Sequence, residues 1–228
     1  MPKLILCRHG QSDWNAENLF TGWADVDLSD QGKKEAITSG KKLKEQQIDI
    51  DIVYTSLLRR AINTTYHLLS QSDQLFIPVH KTWRLNERHY GGLQGLNKDN
   101  ARKEFGEEQV HLWRRSYDIA PPKQSEEQRQ GYLDDRKYEH LDRRVMPESE
   151  SLKDTLERVI PYWNDQISQQ LLDGKTVLVS AHGNSLRALI KYLEDVSDED
   201  IVGYEIKTGA PLIYDLTDDL KVTNKYYL

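Results

Sequence analysis

Short continuous apolar runs alternate along this chain with longer stretches in which apolar positions recur every three or four residues. Leu4-Ile5-Leu6-Cys7 and Thr176-Val177-Leu178-Val179 are continuous runs, the pattern of parallel strands buried on both faces. They predict strands over 3–8 and 176–180. Ile50-Asp51-Ile52-Val53-Tyr54, Leu75-Phe76-Ile77-Pro78-Val79 and residues 212–216 and 222–227 read as further strands, with Pro78 marking an edge or an end. Helical spacing follows Ser29, a good N-cap, as far as about Gln47, with Ala36, Ile37 and Leu43 on its apolar side. A helix capped by Thr55 or Ser56 runs to about Leu69, and short helices cover 98–105 and 107–117. A long helix starts at Glu150 or Ser151 and ends near Leu172 with a kink at Pro161, and another spans about 184–193. Residues 11–28 and 81–98 read as loops. Such alternation predicts an α/β fold, a three-layer α/β/α sandwich around a mostly parallel central sheet, as one domain over residues 1–228.

Residues 121–147 break the pattern. Pro121-Pro122 opens and Pro147 closes a stretch dense in Glu, Gln, Asp and Arg, with few aliphatics. Such composition predicts a solvated, mobile surface segment with no core of its own. It is read as part of a charged lid insertion over about 97–148.

With 228 residues the chain is long enough to bury a sizeable core. Its net charge of −6 argues against nucleic acid and anionic membranes as partners. Arginines nevertheless cluster at Arg59-Arg60, Arg84 with Arg88, and Arg114-Arg115, which suits a small anionic substrate. The single cysteine, Cys7, lies in an apolar run and has no internal partner, as expected of a cytoplasmic protein. Arg8 and His9 interrupt the N-terminal apolar stretch, and no run approaches the ~20 apolar residues of a membrane helix.

The first and the fourth of the predicted strands each end in His-Gly: Arg8-His9-Gly10 and Ala181-His182-Gly183. Open α/β sheets bind ligands beyond the carboxyl ends of their strands, so both imidazoles stand where a ligand would sit. Each glycine permits close backbone approach, helix N-termini beyond offer N–H donors to an anion, and Arg8 adds a fork suited to phosphate. This combination suits phosphoryl transfer through a phosphohistidine, with His9 as nucleophile and His182 beside it. Arg60, about one turn into its helix after Thr55-Ser56, joins Arg8 in clamping the phosphoryl oxygens. The seven histidines include no pair four apart on one helix and no cysteine partner, so no metal site is expected.

Arg8-His9-Gly10-Gln11-Ser12 with the distant Ala181-His182-Gly183 resembles the histidine phosphatase superfamily. Thr21-Gly22-Trp23, Tyr54–Ala61, Asn86-Glu87-Arg88-His89-Tyr90-Gly91, Leu93–Lys98 and Trp113-Arg114-Arg115 are similar to its 2,3-bisphosphoglycerate-dependent phosphoglycerate mutase family. The resemblance runs through to Lys225-Tyr226-Tyr227-Leu228, where many such mutases continue into a further tail over the site. It implies interconversion of 3- and 2-phosphoglycerate, primed by 2,3-bisphosphoglycerate, and allows a homodimer. It implies Glu87 as general acid and base, and Arg88, Tyr90, Lys98, Arg114 and Arg115 as holders of the non-reacting phosphate and carboxylate. Ser12, Asn15, Thr21, Gly22, Gly183 and Asn184 would supply neutral donors around the transferred group. His89 and His111 receive no role. The alternative within the superfamily is a phosphomonoester phosphatase, in which water takes the phosphoryl group from His9.

Overall fold

The computed structural model describes residues 2–228. Strands β1 (Lys3–Arg8), β2 (Ile52–Thr55), β3 (Val79–Lys81), β4 (Thr176–Ala181), β5 (Pro211–Leu216) and β6 (Val222–Tyr227) form one sheet in the order β3-β2-β4-β1-β5-β6. The four strands β3, β2, β4 and β1 pair in parallel, and β5 runs against both β1 and β6. Alternate residues of each central strand face opposite layers, as the two-residue period of a strand requires. Leu4, Leu6, Val177 and Val179 pack against Val159, Trp163, Ile167, Leu186 and Leu189 from helices on one face. Ile5, Cys7, Val53 and Leu178 pack against Leu43, Leu68 and Leu69 from helices on the other. Both faces are thus covered, and the three-layer sandwich is formed.

The helices are α1 (Asp13–Ala16), α2 (Asp30–Glu45), α3 (Arg59–Gln71), α4 (Lys98–Phe105), α5 (Glu107–Arg115), α6 (Glu126–Leu133), α7 (Leu152–Tyr162), α8 (Ser168–Leu172) and α9 (Gly183–Glu194). Four local expectations need correction. The third strand is 79–81 rather than 75–79. Pro78 has no N–H for the ladder, its carbonyl accepts from Val53, and Leu75 and Phe76 point to solvent. The 11–28 loop contains α1, which forms because Ser12 and Asn15 cap it reciprocally. The helix after β2 starts at Arg59, and neither Thr55 nor Ser56 caps it; both hydroxyls bond elsewhere. The long helix after Ser151 does not simply kink at Pro161. It continues through a π turn over Trp163–Ile167 into α8, since the proline removes one main-chain donor from the ladder.

Residues 121–147 also differ from expectation. They fold into α6 and two 3₁₀ turns, Arg136–Tyr138 and Arg143–Val145. Tyr138 and Met146 are buried against Trp23, with Tyr132, Leu133, Leu141, Leu57 and Trp83 around them. The stretch is poor in aliphatics but borrows a core from the 11–28 loop. Burying such aromatics stabilises the docking by about 1.5–3 kcal/mol per side chain.

Candidate active site

The parallel pairing of β1 with β4, Arg8 opposite Ala181, carries His9 and His182 out of the sheet side by side. Their ring centroids lie 4.9 Å apart, inclined at 61°. The His9 N–H donates to the Ala181 carbonyl at 2.9 Å, tying one strand end to the other. His9 Nδ1 lies 2.6 Å from the Gly10 carbonyl, which can only accept, so Nδ1 carries the proton and Nε2 the lone pair, toward which Arg60 Nε donates at 3.4 Å. Burial first, then the charges of Arg60 and Arg8, holds the His9 pKa well below its usual value, which keeps the ring neutral. The two glycines differ. A Cβ on Gly10 would stand 2.3 Å from the Gly32 carbonyl oxygen of α2, so Gly10 serves a close approach within the protein, whereas one on Gly183, which borders the cleft, would make only ordinary contact with the Arg8 guanidinium at 3.4 Å.

Arg60 is 1% exposed near the start of α3. Its two terminal nitrogens donate to the carbonyls of Ala24 and Gly22 at 2.8 and 2.7 Å, and its Nε faces His9 Nε2 at 3.4 Å. Burial lowers its pKa to about 10, still leaving it charged at neutral pH. Arg8 donates to the Ile206 carbonyl at 3.0 Å, and its Nε has no partner.

Glu87 closes the third side. One carboxylate oxygen, Oε1, accepts from the N–H groups of Arg88 (2.8 Å) and Asn184 (3.0 Å). The Glu87 carbonyl accepts from the Trp23 indole at 2.6 Å and from Arg158 at 3.0 Å. Arg158 also forms a buried bidentate pair with Glu150, at 2.6 and 2.9 Å, and donates to the Arg84 carbonyl. Glu150 in turn accepts from the His89 N–H. The 84–89 segment is therefore fixed at three points. His89 itself is structural: its Nδ1 accepts from the Gly91 N–H, and burial, then Arg158, lowers its pKa to about 3.

The cleft of about 770 Å³ in front of His9 is lined by Arg8, Asn15, Thr21, Gly22, Arg60, Glu87, Tyr90, Lys98, Arg114, Arg115, Gly183 and Asn184, all anticipated from the sequence. Three anticipated residues lie outside its wall. Ser12 is buried, its hydroxyl accepting from the Asn15 N–H in the α1 cap. Arg88 is buried behind the wall, its guanidinium 4.6 Å from the Tyr90 ring and bonded to the Arg114 carbonyl. His182 lies beneath, fully buried. Of the lid insertion only Lys98, Arg114 and Arg115 border the cleft; nothing from 121–147 does.

Sequence reasoning missed Leu19, Phe20, Arg187, Tyr204, Glu205 and Ile206, which complete the wall. Arg187 was detectable: it lies three residues beyond Asn184 on α9 and donates to the Asn184 side-chain oxygen at 3.0 Å. The 204–206 segment carried no signal, because its position depends on tertiary bonds from Arg8 to Ile206 and from Gly209 to the Arg8 carbonyl. Glu205 pairs with Arg115 at 2.6 Å. His9, Glu87 and His182 also bring three donor atoms within 4.8 Å of one another, a grouping able to hold a cation.

The chain matches the model of the histidine phosphatase superfamily (branch 1) over residues 4–134 and 124–227. It is 86% identical to the 2,3-bisphosphoglycerate-dependent phosphoglycerate mutase of Staphylococcus saprophyticus, over the whole of both chains. It is 74% identical, again over the whole of both, to the protein of that name from Staphylococcus aureus. Among solved structures it is similar to a mycobacterial glucosyl-3-phosphoglycerate phosphatase, with TM-score 0.74, 21% identity and coverage of 99% of this chain and 96% of the other. A Shigella flexneri alpha-ribazole phosphatase follows the same fold, with TM-score 0.69, 22% identity and coverage of 96% and 95%.

Proposed function

The chain belongs to the histidine phosphatase superfamily, and we propose that it interconverts 3-phosphoglycerate and 2-phosphoglycerate through a phosphohistidine, as a step of glycolysis and gluconeogenesis. The observation that supports this reading over hydrolysis is the number of cations in the cleft wall. Besides Arg8 and Arg60 beside His9, the wall carries Lys98, Arg114 and Arg115. A simple phosphatase needs only the first pair. A mutase must hold a ligand that carries a phosphate at each end, at about −1.5 to −2 charge apiece.

In this reading His9 attacks through Nε2 while its proton stays on Nδ1, held by the Gly10 carbonyl. The N–P bond forms as the donor's P–O bond breaks. Arg8 and Nε of Arg60 meet the charge on the equatorial oxygens, with His182 beside them. Glu87 gives a proton to the departing oxygen and takes one back from the substrate hydroxyl that attacks phosphohistidine. Its Oε1 already accepts two main-chain N–H groups, so Oε2 moves the proton. Tyr90, Lys98, Arg114 and Arg115 hold the phosphate and carboxylate that do not react, and Arg88 supports Tyr90 from behind. Asn15, Thr21, Gly22, Gly183 and Asn184 add neutral polar contacts, and Ser12 acts through its cap on Asn15. 2,3-Bisphosphoglycerate supplies the first phosphoryl group to His9.

We read the site as working without a metal. A cation among His9, Glu87 and His182 would sit beside Arg60, whose Nε is 3.4 Å from His9, and repulsion between the two opposes it. Among the described residues no helix is long and apolar enough to cross a membrane, and we place the protein in the cytoplasm.

A coupled assay of 3-phosphoglycerate conversion tests the reading, run with and without added bisphosphoglycerate and with EDTA in parallel. Conversion stimulated by the primer, with little free phosphate and no loss to EDTA, is expected. Phosphate release exceeding conversion would establish the phosphatase alternative. Loss to EDTA with rescue by a divalent ion would overturn the metal-free site.

A further inference from the structure

Six residues of the cleft wall are cationic and two are acidic, Glu87 and Glu205. Glu87 is tied by main-chain N–H groups and moves a proton in the proposed reaction. Glu205 has no part in that chemistry. Its neighbours on both sides are fixed. The Ile206 carbonyl accepts from Arg8 at 3.0 Å, and the Tyr204 hydroxyl accepts from Lys225 Nζ at 3.2 Å, with Lys225 itself held by Glu194. Ile206 is buried, and Tyr204 packs against the core of the sheet. The segment therefore presents Glu205 to the cleft in one place, where its carboxylate accepts from Arg115 Nη2 at 2.6 Å. Among the described residues Glu205 has no other donor and Arg115 no other carboxylate.

Arg115 is also a cation proposed to hold the part of the ligand that does not react, so one guanidinium faces two anions. The Glu205 side chain is 72% exposed and can turn from Arg115 into water with little change in its solvation. An exposed pair resists such exchange only weakly. Hydrogen bonding to Arg115, then its charge, holds the Glu205 carboxyl below the usual carboxylate range, so it is ionised at neutral pH. A ligand carboxylate would exchange like for like, whereas a phosphate brings about −1.5 to −2 charge and outcompetes it. We propose that Glu205 is a built-in competitor for Arg115: a carboxylate that occupies this cation in the free protein, yields it to a phosphate-bearing anion, and so weakens the binding of every ligand that needs Arg115. The identity of the ligand rests on the mutase reading; the competition rests on the ion pair.

The test is calorimetric titration of 3-phosphoglycerate, without primer, into wild type and Glu205→Gln at about 50 and 500 mM salt. The amide keeps the shape and removes the charge. The variant is expected to bind about three- to fivefold more tightly at the lower salt, with a smaller gain at the higher. Structural damage would loosen binding, so a gain cannot come from it. Glu205→Asp, with the charge on a shorter arm, should fall between the two. In an Arg115→Ala background the same Gln change should gain little, because the contested cation is gone. Equal or weaker binding by Glu205→Gln would overturn the proposal, since the carboxylate would then support Arg115 or ignore it. An equally large gain in the Arg115→Ala background would also overturn it, because Glu205 would then repel the ligand directly. Tighter binding by the variant, with no conversion by either protein once primer is added, would refute the proposed function and leave the competitor standing. No binding by either protein would end both readings.

Discussion

His9, His182 and Glu87 are 3%, 0% and 8% exposed, and each is held by main chain or by a buried side chain. At the rim of the cleft, by contrast, the Arg115 side chain is 26% exposed and is paired with a Glu205 carboxylate that is 72% exposed. In the first region both histidines follow strand ends in the middle of the sheet and Glu87 is braced by Trp23 and Arg158; the second stands on a short helix and an irregular segment. Groups that make and break bonds gain from being fixed in advance, because reorganisation at the moment of reaction adds to the barrier. Groups that grip the far end of a ligand must accept two isomers whose phosphates sit on different carbons. An exposed ion pair such as Arg115–Glu205 contributes only about 0–1 kcal/mol and exchanges readily for a substrate anion.

The comparison breaks most sharply at His9. His9→Ala is expected to cut transfer by at least about 10⁴-fold with the fold intact. Labelled bisphosphoglycerate should mark the wild type with an acid-labile, base-stable phosphate and leave the variant unmarked; an acid-stable mark, or a marked variant, would contradict the assignment. Next comes the support beneath Glu87. Glu150→Ala strands the buried Arg158 charge and should cost about 3–5 kcal/mol of stability, read by denaturant unfolding. An unchanged midpoint would show that the 84–89 segment needs no such anchor.

At the rim the effect should be smaller and of another kind. Arg115→Ala should weaken substrate binding by about 1.5–3 kcal/mol, roughly ten- to a hundredfold. It should leave the phosphorylation of His9 nearly intact. Dependence on added bisphosphoglycerate and the share of hydrolysis should both rise, because a loosely held intermediate escapes before it turns over. Equal mutase-to-phosphatase ratios in variant and wild type would remove Arg115 from the clamp.

Acid separates the regions by titration. His9, His89 and His182 are neutral in the folded protein, with pKa values lowered below the ordinary 6.5, to about 3 for His89. The unfolded chain therefore binds more protons as pH falls through 6.5. This contribution to stability is complete above that pH and is lost below it, by at most about 1.4 kcal/mol per pH unit per histidine. Melting temperatures measured at pH 7, 6 and 5 should fall steadily, and a flat profile would contradict the buried neutral rings.

Most of the reacting end was legible in the sequence because its residues sit on local signals. An apolar run, an abrupt His-Gly and a following helix are contiguous, and the pairing of β1 with β4 does the rest. Most of the rim cations were legible only through family resemblance, since an arginine on a short polar helix looks like any other. Ser12 caps α1 instead of bordering the cleft, and a hydroxyl near a candidate nucleophile and a helix cap look alike before the helix is known. Tyr204 to Ile206 were invisible, being brought in by bonds to Arg8 across some two hundred residues. Composition hid the docking of 121–147 as well, since Tyr132 and Tyr138 gain their value only from the distant Trp23.

The place of β1 in the sheet bears on how the molecule is made. Its neighbours are β4 and β5, so the strand synthesised first can be enclosed only after residues 211–216 have emerged. At about 5–20 residues per second that interval is roughly 10–40 s, during which Leu4–Cys7 lacks one or both of its flanking strands. A chain truncated before Pro211 should accordingly stay open to protease at its N-terminus, and resistance there would show that β1 and β4 close without β5. The nucleophile, at the end of β1, thus depends on strands made more than 160 residues after it.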